Sequence, residues 1–237
     1  MITSELRRDV WGELSSRVGI LTTAAVCLVL IGFAVAIDYP RTARGFKGDE
    51  ATYYCLAHSL ARDLDFTFQR QDLVRVWEEF PGPEGIFLKR GSKIDWQRQS
   101  TFPFVRMARS EDPARYRLYY AKSYIYPLFA APFVRVFGTN GFLIFHALLL
   151  SVAYAAGYRF LTGLGTRPGI AAAFAATFIF ASAVPVYFIW LMPEVFNFTL
   201  VFVGYFLWTY KLVAAPVAST RLERLLRSPR SDTIAAL

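Results

Sequence analysis

The sequence predicts an all-α polytopic membrane protein of about four transmembrane helices, with a long extracytoplasmic first loop carrying juxtamembrane helices and a small irregular insert. Three observations predict it. Residues 18–37 form a run of twenty without a charge, enough at about 1.5 Å per residue to cross a hydrocarbon core of roughly 30 Å. Three more apolar segments crowd the C-terminal half, at 141–158, 169–192 and 195–213. Apolar residues make up 55% of the chain and the mean hydropathy is +0.34, both high for a soluble domain.

The elements follow in order. Residues 1–17, with Arg7, Arg8 and Arg17, flank the first span. That span is too long for a cleavable signal and no small-x-small cleavage site follows, so it is read as retained. The loop 38–140 opens with an Ala- and Leu-rich stretch free of Gly and Pro, predicted as a helix over 50–64 with Asp49 near its N-cap and Glu50 in its first turn. From 66 to 110 the pattern breaks into turn clusters, Pro81-Gly82-Pro83-Glu84-Gly85 and Gly91-Ser92, around a short strand at 86–89. Residues 117–126 are aromatic and alternating, hence extended. Residues 126–137 are apolar but short and hold Pro127, Pro132 and Arg135, the profile of an interfacial or re-entrant helix. Within 169–192, Pro185 predicts a kink or a short surface helix from Val186. Lys211 closes the last span, where its side chain can snorkel, and 216–237 reads as a basic cytoplasmic tail.

Charge orients the spans. Arg7, Arg8 and Arg17, then Arg159 and Arg167, then Lys211, Arg221, Arg224, Arg227 and Arg230 all fall on one side if both termini are cytoplasmic, while the turn at Pro193-Glu194 has no base. The spans are expected to be surrounded by membrane lipids. The net charge of +8 does not point to nucleic acid. Residues 38–123 of the long loop have fifteen bases against twelve acids, and no one-sign patch with interleaved aromatics is present. Cys27 lies in the first span and Cys55 in the loop helix, so they cannot pair, and no Cys/His metal spacing occurs. His146 sits in a span and is read as a helix–helix hydrogen-bond partner. The sequon at Asn197 lies in an apolar span and is discarded.

The candidate chemistry is outside the spans. Asp49 and Glu50 are adjacent carboxylates just beyond the first span; they suit acid/base work, an ion site or simple helix capping. Lys122 suits a snorkelling role at the interface. Glu194 is a second acidic candidate or a cap on the last span. Tyr53 and Tyr54 are interface-belt aromatics or hydrogen-bond partners for a substrate. A transporter would place ionisable groups inside its spans; here the spans are nearly free of charge, which favours chemistry at the interface. A non-enzymatic polytopic protein, an assembly partner or transporter fragment, is the alternative.

The ordered set Gly48-Asp49-Glu50 with Tyr54, Leu64-Asp65-Phe66, Lys122-Ser123-Tyr124-Ile125-Tyr126-Pro127-Leu128, Ala131-Pro132-Phe133 and Phe137-Gly138 resembles the start of GT-C-type polytopic glycosyltransferases, most nearly the bacterial protein mannosyltransferases and aminoarabinose transferases. The resemblance covers residues 15–215. It implies an enzyme that takes a sugar from a polyprenyl-phosphate donor to a lipid, glycan or protein acceptor on the extracytoplasmic face of a bacterial-type cytoplasmic (inner) membrane. It gives Asp49 the part of general base, Glu50 that of orienting the acceptor or binding a cation, and Lys122 that of facing the donor phosphate. No redox or nucleotide cofactor is implied, and a divalent cation is left open. The family has many more spans than this chain, so the resemblance makes the chain an N-terminal portion or a reduced relative, whose activity alone is in question.

Overall fold

The computed structural model describes residues 4–42, 46, 48–80, 82–94, 107–109, 117–214 and 221–236. In chain order the elements are α1 (Ser4–Ala36), α2 (Tyr39–Thr42), α3 (Asp49–Arg62), β1 (Thr67–Phe68), α4 (Arg70–Glu79), β2 (Leu88–Arg90), β3 (Ser92–Ile94), β4 (Met107–Arg109) and β5 (Leu118–Tyr120). Then come α5 (Ile125–Phe137), α6 (Asn140–Gly163), α7 (Pro168–Phe180), α8 (Val184–Phe188), α9 (Glu194–Val213), α10 (Arg221–Arg227) and α11 (Pro229–Ala236). They form two compact units, 1–36 with 143–237, and 37–142.

Among the described residues, three helices are long and apolar enough to cross a membrane: Ser15–Ala36 within α1, α6, and α9. The segment expected as a third span, 169–192, is not one helix. α7 stops at Phe180, and its 13 residues reach about 20 Å, short of a hydrocarbon core of roughly 30 Å. Pro185 begins a separate five-residue helix, α8, instead of kinking a long one. A proline near a helix start costs little because the N–H it lacks has no partner there.

The helical unit packs through small residues and a few polar contacts. A Cβ on Gly19 would lie 2.5 Å from the Tyr158 ring, and the Tyr158 hydroxyl donates to the Ser15 carbonyl at 2.6 Å. His146 is fully buried on α6, its Nδ1 2.9 Å from the Phe188 carbonyl, so it ties α6 to α8 as the sequence suggested. Ile20, Leu28 and Phe33 on α1 and Leu200 and Val201 on α9 stay exposed, as suits side chains facing hydrocarbon. The tail is not a freely solvated flank. α10 and α11 pack against α9, Lys211 pairs with Asp232, and the Ala235 carbonyl lies 3.5 Å from where a Gly204 Cβ would be.

Unit 37–142 is neither purely helical nor irregular. β1, β5 and β2 form an antiparallel sheet in that order, and β3 pairs with β4. The expected strand at 86–89 and the extended stretch at 117–126 meet here only as β2 and β5, with Leu88 opposite Tyr120 and Arg90 opposite Leu118, while α5 already begins at Ile125. α3 is the hub, packed against α5, α4 and β1, with every residue from Ala51 to Ala61 buried. That explains its composition: a helix enclosed on all sides needs small and apolar residues around its whole circumference. Phe46 stacks on Phe80 at 4.0 Å, with Tyr54 edge-on to both. At its C-terminal end the Arg135 guanidinium donates to the Ala61 carbonyl. Arg75 bridges Asp63 and Asp72 at 2.9 and 3.2 Å and holds the Asp63 carboxyl below its usual range. Gln69 and Asp72 cap α4 reciprocally. No side chain fits at Gly141, whose Cβ would sit 2.4 Å from the Phe133 carbonyl group.

His58 sits inside this core, 2% exposed, its ring 4.2 Å from that of Tyr54 and both nitrogens without a hydrogen-bond partner among the described residues. Burial, assisted by Arg62 and Arg75, lowers its pKa from 6.5 to about 3, so the folded protein holds it neutral. Below pH 6.5 the unfolded chain takes up a proton that the folded chain refuses. Stability is therefore lost as pH falls from 6.5 toward 3, by up to about 1.4 kcal/mol per pH unit. His58→Leu removes the two orphaned nitrogens and that proton linkage. The variant is expected to melt at or above wild type near neutral pH and to lose less on acidification to about pH 5, as read by thermal unfolding in detergent. An unchanged pH slope would mean that His58 does not control it.

Candidate functional site

The predicted site residues divide. Asp49, Glu50, Lys122, Tyr53 and Tyr54 lie in unit 37–142; Glu194 lies in the other unit. Within the first, the fold brings Asp49 and Lys122 together from the two ends of the loop: Lys122 Nζ is 2.6 Å from Asp49 Oδ1, with the two side chains 27% and 37% exposed.

The local geometry shows how. Gly48 is the N-cap of α3, with Asp49 next to it as the first helical residue, and Gly48 has no side chain with which to cap this end. Gly48 has φ +59°, a conformation that disfavours any side chain. Its N–H donates to the Glu84 carbonyl at 2.7 Å, and Glu84 returns a bond to the Phe46 carbonyl at 3.2 Å. Gly85, also at positive φ, packs so close that its Cβ would meet the Gly48 nitrogen at 3.2 Å. Next along the chain, the Phe87 N–H donates to Thr52 Oγ1 at 2.9 Å, while that hydroxyl donates to the Gly48 carbonyl at 2.8 Å. Residues 84–87, which close the Pro/Gly cluster, are thus clamped onto the first turn of α3. The β2–β5 ladder continues one step further, Ala121 N–H to the Phe87 carbonyl at 2.8 Å, and delivers the next residue, Lys122, beside Asp49. Lys122 Nζ stands 4.9 Å over the Phe87 ring, whose electron-rich face favours a cation. So the insert, whose purpose the sequence left open, builds the Asp49–Lys122 pair.

Glu50 lies beside Asp49 and accepts from the Tyr39 hydroxyl at 3.0 Å, Tyr39 itself being buried at the start of α2. Three partners were missed at the sequence level: Tyr39 against Glu50, Phe87 beneath Lys122, and Thr52 joining the turn to the helix. Only the Pro81–Gly85 cluster gave a signal, as a turn without an address.

The expectations for Tyr53 and Tyr54 need correction. Tyr54 is 1% exposed, packed among Phe46, Phe80, His58 and Phe142, with its phenol pushed up by burial and the nearby Glu79 carboxylate. It is a core residue and does not face a substrate. Cys55 is buried in the same helix, its thiol pushed up to about 12, and is no surface thiol. Tyr53 is buried too, edge-on to Tyr126 at 5.6 Å, which seats α5 on α3. Asp65, part of the sequence pattern, accepts from Ser59 Oγ, Thr67 N–H and Gln69 Nε2 at 2.9–3.0 Å and shapes the turn after α3. Glu194 is the first residue of α9; its Oε2 is buried without a hydrogen-bond partner among the described residues, beside a cavity of about 320 Å³ lined by Phe178, Tyr187 and Phe198 among others.

Among the described residues no group of three or more His, Cys, Asp or Glu side chains could hold a metal ion. The arrangement offers a carboxylate and an ammonium in contact at a half-open surface, with a second carboxylate oriented beside them. Comparison with models of known families, with curated proteins and with solved structures finds no match.

Proposed function

We propose that this chain carries the N-terminal site of a membrane glycosyltransferase that moves a sugar from a polyprenyl-phosphate donor to an acceptor hydroxyl on the extracytoplasmic face. The observation that carries the proposal is the 2.6 Å contact of Lys122 with Asp49. Glycosyl transfer to a hydroxyl calls for these two groups: a base for the acceptor proton and a cation for the departing phosphate. Without donor, Lys122 neutralises Asp49. An arriving donor phosphate competes for the ammonium and leaves the carboxylate free to accept a proton. The acceptor oxygen then bonds to the anomeric carbon, its proton passes to Asp49, and the anomeric carbon–phosphate oxygen bond breaks with its electron pair on the polyprenyl phosphate. Glu50, held by Tyr39, orients the acceptor or binds a cation.

Release of polyprenyl phosphate from polyprenyl-phosphate mannose or aminoarabinose, in membranes of cells carrying the gene in its native context, tests this. Acceptor-dependent release with either donor is expected. Release no greater than in membranes without the protein would favour a non-enzymatic assembly partner.

The proposed topology has both termini cytoplasmic and four crossings, with α7, α8 and the turn after them together making the third. It places α4 outside. Cys55 cannot report on this because it is buried. An introduced cysteine at the exposed Glu78 is expected to react with a membrane-impermeant maleimide in intact cells. Reaction only after the cells are broken would overturn the orientation.

A further inference from the structure

The helical unit holds a second polar feature. A cavity of about 430 Å³ opens at the junction of α6 and α7 and is lined by Arg159, Arg167, Arg227, Glu223, Thr162 and Thr166 among others. Among the described residues, three arginines and one glutamate thus line one space. That carboxylate is engaged: Glu223 pairs with Arg159. Arg227 has its Nε and Nη1 buried with no hydrogen-bond partner among the described residues. Guanidinium N–H groups have no acceptor capacity and cannot lose their charge, so burying them unpaired is costly. Arg167 is the N-cap of α7, and Pro168 follows at the helix start. The N–H groups of the residues just beyond have no partner inside the helix, and the helix dipole adds positive character there. The turn itself is internally satisfied, Gly165 N–H to the Thr162 carbonyl at 3.0 Å and Thr166 N–H to the Leu161 carbonyl at 3.1 Å. The turn therefore closes through its own backbone, and the side chains of Arg167 and Arg227, which line the cavity, are not used in closing it.

From this we infer that the cavity is a binding site for a phosphate group, held between Arg167 and Arg227. Arginine's planar fork matches phosphate oxygens in pairs, and two cations with no carboxylate partner among the described residues match a phosphate monoester. The cavity lies at the end of α6, a helix long and apolar enough to cross a membrane, which is where lipid headgroups lie. An anionic lipid headgroup and a free phosphate compound present the same chemistry to it. The site shares no residue with the Asp49–Lys122 pair and does not depend on the glycosyltransferase proposal.

Purified, delipidated full-length protein in detergent would be titrated with dioctanoyl phosphatidic acid, with dioctanoyl phosphatidylcholine and with inorganic phosphate. Native mass spectrometry and thermal shift would read binding. Phosphatidic acid is expected to bind and phosphatidylcholine to bind more weakly. Losing one charge-assisted contact through Arg167→Gln or Arg227→Gln should weaken phosphatidic acid by about tenfold or more. Arg224→Gln, exposed on the same helix as Arg227 and not lining the cavity, should have little effect. Inorganic phosphate binding with the same sensitivity would support the site and identify a free phosphate compound as sufficient; no binding of phosphate alongside binding of phosphatidic acid would identify the headgroup. Arg167 is exposed, so its variant carries the test if Arg227→Gln does not fold. Binding of neither ligand, or binding unaffected by Arg167→Gln, overturns the inference.

Discussion

Asp49→Asn is expected to cut transferase turnover by roughly 10² to 10⁴, the usual worth of a general base, while leaving the protein folded and inserted. The fold should survive because this carboxylate is not what holds α3. The N-cap is Gly48, which has no side chain with which to cap that end, and the turn is clamped through backbone bonds to Glu84 and the Thr52 hydroxyl. What the substitution removes structurally is a partly exposed ion pair with Lys122, and pairs of that kind contribute about 0–1 kcal/mol. Asn keeps the shape and can still accept a hydrogen bond from Lys122, but it is a far weaker base. Acceptor-dependent release of polyprenyl phosphate checks the rate, and thermal unfolding in detergent checks the fold. A stable variant that turns over at close to the wild-type rate would reduce the pair to a surface bridge.

How much of this was legible in the sequence follows from the range of the interactions. The long apolar helices could be read because a membrane span is a local property: each residue contributes hydropathy wherever its neighbours lie. α3 could be read for a similar reason, from its Ala- and Leu-rich stretch free of Gly and Pro. The break before Pro185 could be foreseen in kind but not in place, since the chain leaves the helix at Ala181, four residues earlier. The burial of Tyr54, Cys55 and His58 could not be read, because it depends on what closes over α3. A run such as Ala51–Ala61 is compatible with an exposed or an enclosed helix until α5, α4 and β1 are placed around it. The turn at Pro81–Gly85 was legible as a turn, but its bond to Gly48 joins residues far apart in the chain and leaves no periodic trace. Lys122 was found by resemblance to a family pattern and not by any local rule. Its position over Phe87 follows from the register of β2 and β5, set by a pairing of only three residues on each strand.

Lys122→Met should act on a different kinetic constant from Asp49→Asn. The thioether keeps the length of the side chain and can still lie against the Phe87 ring, while the charge that would meet the donor phosphate is gone. A charge-assisted contact of about 1.5–3 kcal/mol corresponds to a loss of roughly tenfold to a hundredfold or more in donor affinity. KM for the polyprenyl-phosphate sugar is therefore expected to rise by that order. Part of the loss should also appear in kcat, because the leaving group gathers charge as its bond breaks. Lys122→Arg, which keeps the charge with a different geometry, should recover donor binding in part. The double variant separates the proposal from a purely structural bridge. If Asp49 and Lys122 only hold each other, either single change removes the whole contact, the double variant is no worse than the single ones, and all three differ in stability rather than kinetics. If they serve two ends of one reaction, the single changes leave different signatures, in turnover for Asp49 and mainly in donor KM for Lys122. The double variant then loses both. Equal Tm shifts with unchanged donor KM in Lys122→Met would remove the phosphate from this site, and the assignment of a glycosyl donor with it.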